Sequence, residues 1–286
     1  MKRTLVTLAI AALAVLSIPS LPANAFPWFQ FVRELFGSGG ASTAPTRGGT
    51  NPALPYVLSP RRSKIADPRP LLRWNPVAEA SRYTVTLRGP DGIVWQETVS
   101  GQTALRYPGE PPLLPNVDYV LSVSTDTGVS SVQEAVPGLA FSLIEATAQT
   151  AVTAALADVG TAQDEASWLA QADVLQSYQL LTAAIALLEA APPSVAVSRR
   201  LGELYLQTQL ALQAKPQFEQ ALALAKAAGD VRSQADLNVF LGYVALELRQ
   251  PYPALARLEQ AQTLYEQAGL TQEADAVAQW LASISR

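Results

Sequence analysis

The sequence has no cysteine and no histidine, and one methionine among 286 residues. Without thiolate or imidazole there is no disulfide framework, no Cys/His metal site, no Ser-His-Asp triad and no cysteine nucleophile. Charge is sparse too: 20 Lys+Arg stand against 24 Asp+Glu, for a net charge of −4. That balance offers no electrostatic footprint for nucleic acid. Nothing beyond the first 25 residues approaches the roughly 20 apolar residues a membrane-spanning helix needs. What remains is a chain that is 49% hydrophobic and holds 21 prolines. It buries a core and is long enough for about two domains of ~100–200 residues each.

The first 25 residues read as an export signal. Lys2 and Arg3 precede an apolar stretch from Leu5 to Ile18, Pro19 and Pro22 interrupt it, and Ala23-Asn24-Ala25 supplies the small-x-small cleavage pattern. Cleavage after Ala25 predicts a periplasmic or otherwise extracytoplasmic home; an uncleaved anchor is the alternative. The mature chain is expected to have no transmembrane helix. Residues 26–36, FPWFQFVRELF, are rich in large apolar side chains. They suit weak membrane contact by Phe26 to Phe36, or docking on the protein's own apolar surface. A Gly/Ser/Thr/Pro stretch to residue 53 reads as a flexible linker.

Residues 54–143 alternate with period two between Pro and Gly punctuation, the pattern of half-buried strands. Tyr83, Val85 and Leu87 form one such set, and Tyr119, Leu121 and Val123 another. Further strands are expected around Ile93–Val99, Ala104–Tyr107, Ser131–Ala135 and Leu139–Leu143. The motifs Leu72-x-Trp74-x-Pro76, Tyr83-x-Val85-x-Leu87 and Leu114-Pro115-x-x-Asp118-Tyr119-x-Leu121-x-Val123 resemble the fibronectin type III pattern. The resemblance implies an antiparallel β-sandwich, with Trp74 in the core and Tyr119 making a corner hydrogen bond. The Pro-rich stretch 108–117 departs from the family and leaves the strand count there open. Eight basic and eight acidic residues balance within 54–143. Its arginines, Arg61 among them, are therefore expected on a solvated surface.

From residue 144 onward Pro becomes scarce and the helix formers Ala, Leu and Gln dominate. Residues 144–159 read as one helix ended by Gly160. Then a repeat emerges. Leu201-Gly202 aligns with Leu241-Gly242, and the same offset of forty pairs Ala214 with Ala254, Phe218 with Leu258, Ala221 with Ala261, Leu224 with Leu264 and Ala228-Gly229 with Ala268-Gly269. A degenerate earlier copy places Ala172, Ala184, Leu188 and Ala191 at equivalent points. Leu-Gly, then small, then large apolar, then Ala resembles the tetratricopeptide repeat, whose usual period is about 34. The implied architecture is α+β and multidomain: a fibronectin type III-like sandwich over 54–143, followed over 144–286 by an all-α tetratricopeptide-type solenoid. Helix pairs are expected at about 165–191, 195–228 and 235–268, with a capping helix at 271–284. Ser194 and Asp230 are candidate N-caps. Pro216 and Pro253 are expected in the first turn of their helices.

The resemblance implies a concave protein- or peptide-binding face lined by the first helix of each pair. Its groove positions fall on Asp173 and Gln176, on Arg199, Glu203 and Gln207, and on Asp236, Tyr243 and Glu247. The alternative for each is an ordinary solvated helix face. Glu203 and Tyr243 stand where chaperone-binding members carry Asn, which disfavours recognition of an acidic tail. Residues 145–286 hold 15 acids against 8 bases, so a neutral to basic partner, or an apolar one, is expected. No cofactor and no metal are implied. The functional expectation is a non-enzymatic adaptor or scaffold of the cell envelope. A second reading is glycan or peptidoglycan binding by the sandwich, which requires Trp95 and Tyr107 exposed side by side.

Overall fold

A computed structural model describes residues 51–134, 136, 139–160 and 162–284. The proposed signal, the 26–36 segment and most of the linker lie outside the described residues. Among the described residues there are eight strands followed by eight α-helices, an α+β architecture.

The strands are β1 (Val57–Ser59), β2 (Ser63–Ile65), β3 (Leu71–Trp74), β4 (Arg82–Gly89), β5 (Gly92–Ser100), β6 (Ala104–Arg106), β7 (Asp118–Thr125) and β8 (Phe141–Leu143). One sheet has the order β1-β3-β6, the other β2-β8-β7-β4-β5. Pairing is antiparallel except between β2 and β8, which run parallel. Alternation sends Trp74, Tyr83, Val85, Leu87, Tyr119, Leu121, Val123 and Phe141 into one core that draws on both sheets. Trp74 is 1% exposed and packs beside Tyr83, with ring centroids 5.7 Å apart. The Tyr119 hydroxyl accepts a hydrogen bond from the backbone N–H of Leu114 at 2.8 Å. Two expectations are corrected here. Ser131–Glu134 is a short 3-10 helix, not a strand. The strands β1 and β2 are additional; at three residues each they are too short to show a period.

The helices are α1 (Ala146–Val159), α2 (Glu165–Ser177), α3 (Leu181–Ala190), α4 (Val195–Gln207), α5 (Ala211–Ala227), α6 (Val231–Glu247), α7 (Pro251–Gln267) and α8 (Thr271–Ile284). Successive helices from α2 to α7 form three hairpins. The first helix of each carries a side-chain N-cap: Asp164, Ser194 and Asp230 accept from the backbone N–H three residues on. Asp230 caps a helix beginning at Val231, a few residues before the expected start of that pair. Pro216 lies inside α5 in its second turn, not its first, whereas Pro253 is in the first turn of α7.

Turns at the helix ends repeat one hydrogen-bond pair. Leu180 N–H reaches Leu175 O while Gln179 N–H reaches Gln176 O. The same 6→1 and 5→2 bonds recur at Gln209-Leu210, Gly229-Asp230, Arg249-Gln250 and Gly269-Leu270. Gln209 and Arg249 are forty residues apart, as are Gly229 and Gly269, so the sequence offset is a structural period. The first hairpin is shorter because α3 has 10 residues where α5 and α7 have 17. This is why the earliest copy reads as degenerate.

Hairpin packing depends on small residues. A Cβ placed on Gly202 would come within 2.7 Å of Phe218, and one on Gly242 within 2.8 Å of Leu258. Ala214, Ala221, Ala254 and Ala261 are all fully buried, so the paired helices meet through methyl groups and bare backbone.

The sheets and the helices belong to one compact unit. Arg61, expected on the surface, is instead 0% exposed. Its guanidinium grips Glu134 through two bonds of 2.9 Å and donates to the carbonyls of Val57 (3.2 Å), Thr208 (2.7 Å) and Gln209 (3.3 Å). Thr208 is the C-cap of α4 and Gln209 follows it, at a helix end where carbonyls lack intrahelical partners and a cation is favoured. Two residues on, the Ser63 hydroxyl accepts from Thr182 N–H at 3.0 Å. It caps α3, whose own N-cap position is Leu180 and supplies no side-chain bond. Lys64 N–H donates to Gln179 O at 2.8 Å, covering the outer edge of β2. Gln213 on α5 bonds the Tyr56 hydroxyl at 2.9 Å, and Arg73 pairs with Glu189 at 2.8 Å.

Candidate functional site

The residues singled out from the repeat occupy the first helices of the hairpins: Asp173 and Gln176 on α2; Arg199, Glu203 and Gln207 on α4; Asp236, Tyr243 and Glu247 on α6. A polar network joins most of them across neighbouring helices. Arg200 bonds both Asp173 and Gln176 and reaches Glu203 at 3.3 Å. Glu203 also accepts from Arg199 Nε at 2.9 Å. Arg199 in turn lies 3.5 Å from Asp236, with its guanidinium carbon 5.3 Å from the Phe240 ring centroid. Asp236 accepts from the Tyr265 hydroxyl of α7 at 2.5 Å. Gln176 and Gln207 join by an amide–amide bond of 3.2 Å.

Tyr243 and Glu247 are also joined, hydroxyl to carboxylate at 2.9 Å one helical turn along α6. Arg200, Tyr265 and Phe240 are members of the network that sequence reasoning missed. Arg200 adjoins Arg199 with nothing in the repeat to rank one above the other, and Tyr265 belongs to a second helix.

Burial separates these residues into two classes. Asp173 is exposed, and Gln176, Arg199 and Gln207 are half-buried. Glu203, Asp236, Tyr243 and Glu247 are buried. Asp173 and Asp236, paired with Arg200 and Arg199 of α4, are struts between helices, whereas Glu203 is held by the two arginines of its own helix. Burial pushes the Asp236 carboxyl up, against the lowering influence of the Tyr265 hydroxyl and the Arg199 charge. Burial likewise pushes the Glu247 carboxyl up, opposed by the Tyr243 hydrogen bond. The Tyr243 and Tyr265 hydroxyls are held protonated by burial and by their carboxylate neighbours.

A carboxyl whose folded-state pKa lies above its unfolded value binds more protons when folded. Its charging therefore opposes folding, and stability falls as pH rises from the ordinary carboxylate range through the raised value. Glu247→Gln is expected to flatten that part of the stability–pH curve. Urea midpoints between pH 4 and pH 8 check it; a variant curve parallel to the parent would show that Glu247 titrates normally.

Trp95 and Tyr107 do meet, with centroids 5.5 Å apart, but edge to face at 89°. Tyr107 is 0% exposed. No flat pair of exposed rings is presented, contrary to what the glycan reading required. Tyr107 packs inside the sheets and bonds Pro111 O through its hydroxyl.

No helix among the described residues is long and apolar enough to cross a membrane. Neither a protein-family model nor a curated protein sequence matches the chain.

Proposed function

We propose that this chain is a non-enzymatic adaptor that works outside the cytoplasm and binds a protein or peptide along the first-helix face of a tetratricopeptide-like array. A fibronectin type III-like sandwich would buttress one end of that array. The observation that carries the reading is the linked series Asp173, Arg200, Glu203, Arg199 and Asp236, which runs over α2, α4 and α6. Repeat arrays use such a face, since stacking leaves one side of each hairpin free. The forty-residue recurrence of turns and the glycine crossings support the tetratricopeptide likeness. The buried Trp74 and the Tyr119 corner bond support the fibronectin one. The charge ladder is self-neutralised, with acid in excess over the helical half, which favours a neutral to basic partner. The Trp95–Tyr107 geometry lends nothing to glycan binding.

The test is site-specific photocrosslinking in cells, with the probe at Asp173 or Gln207 and, as controls, at the exposed Glu219 and Glu259 of α5 and α7. A discrete crosslinked protein from the first-helix positions, in the extracytoplasmic fraction, is expected. Equal labelling from both faces, or a cytoplasmic location, would refute the proposal.

A further inference from the structure

A cleft of about 470 Å³ opens where the outer face of the five-stranded sheet meets the C-terminal ends of α2 and α4. Its size falls within the roughly 300–1,000 Å³ of small-ligand sites. Its sheet wall is one cross-strand row. Lys64 of β2 and Asp118 of β7 each stand in register with Ser142 of β8, one on either side. Their strand neighbours Ile65, Phe141 and Tyr119 point into the core, so alternation turns Lys64, Ser142 and Asp118 outward together. Two strand spacings of about 4.8 Å set the backbones that carry this cation and this carboxylate about 10 Å apart.

Neither charge is spent on the protein. Among the described residues no ion pair engages Lys64 or Asp118. Arg62 adds positive potential to the lining. The helical wall offers amides. Gln207 uses only its carbonyl oxygen, towards Gln176, and the Gln179 side chain makes no hydrogen bond within the described residues. The helix ends present no bare carbonyl at Thr208 or Gln179, since Arg61 and Lys64 N–H take those.

We infer that this cleft binds a short peptide of about three residues with both ends free. Its carboxylate sits at Lys64, its ammonium at Asp118, and its backbone is hydrogen-bonded by Ser142, Gln179 and Gln207. An extended chain advances about 3.3–3.6 Å per residue, so a tripeptide matches the two-strand width of the row while a single amino acid does not. This deepens the peptide-binding reading of the first-helix face, because Gln176 and Gln207 belong to both.

The experiment is calorimetric titration of the full chain with trialanine and its N-acetylated, C-amidated and doubly capped forms. Free trialanine is expected to bind, and capping either end to weaken it about tenfold or more, as loss of a charge-assisted hydrogen bond does. Lys64→Gln should make free and amidated peptides bind equally, while Asp118→Asn does the same for free and acetylated ones. Both variants alter outward-facing side chains and should melt with the parent. Failure of trialanine to bind, or indifference to capping, overturns the inference. If trialanine binds while the crosslinking probes find nothing, the adaptor reading fails and the cleft stands; the reverse pattern removes the cleft alone.

Discussion

Arg61→Ala is expected to destabilise the protein by about 3–5 kcal/mol, the range for removing one partner of a buried ion pair. The single side chain makes five hydrogen bonds, two to Glu134 and three to carbonyls. Its loss strips a 7%-exposed carboxylate of both guanidinium bonds and takes the donor away from the Thr208 and Gln209 carbonyls at the C-terminal end of α4. Glu134→Gln should cost less, because the guanidinium keeps its three carbonyl acceptors. Urea unfolding of the two variants gives the order directly. A cost below 1 kcal/mol for Arg61→Ala would mean that the junction is held by apolar packing instead.

The second large effect is expected at Phe218. This ring is fully buried on α5, fills the space over Gly202 on α4, and stacks on Phe240 of α6 with centroids 4.9 Å apart and planes 8° from parallel. Phe218→Ala should cost about 3–5 kcal/mol through lost transfer energy and the cavity left behind. Gly202→Ala alone errs in the opposite direction, because its methyl group would meet the ring at 2.7 Å; overpacking of this kind costs about 1–3 kcal/mol. The double variant is the informative one. With the ring gone, the new methyl group occupies part of the cavity, so the combined loss should fall short of the sum of the two single losses. Strict additivity in a double-mutant cycle would show that the helices separate and the contact does not decide the hairpin's geometry.

What the sequence disclosed follows from which forces are local. Helix starts at Ser194 and Asp230 were legible because a capping side chain bonds a backbone three residues away. Gly202 and Gly242 were legible because one packing solution is written twice, forty residues apart. Strands β4 and β7 showed themselves by the alternating sets Tyr83, Val85, Leu87 and Tyr119, Leu121, Val123 inside eight-residue strands. Three-residue β1 and β2 carry no period, and the short run at Ser131–Glu134, expected as a strand, closes into a 3-10 turn.

Arg61 was misplaced for a different reason. Apart from the Val57 carbonyl, its partners are 73 to 148 residues distant in the chain, and no local pattern announces them. At the candidate site, the repeat located the first-helix positions but could not reveal that Arg200 bridges α2 to α4. The Lys64–Ser142–Asp118 row needs three strands in register, which no linear pattern encodes.

The Ser63 hydroxyl bound to Thr182 N–H has a wider implication. One half of the polypeptide completes a secondary-structure end that the other half leaves open. The tail is thus no interchangeable module. Excised at residue 144, it would lose the cap at the start of α3 and the Arg61 bonds in the turn after α4, and transplanting it onto a foreign partner would demand that the segment from Ser59 to Ile65 travel with it. A protease probing the native molecule should correspondingly find no severable hinge between strands and rods.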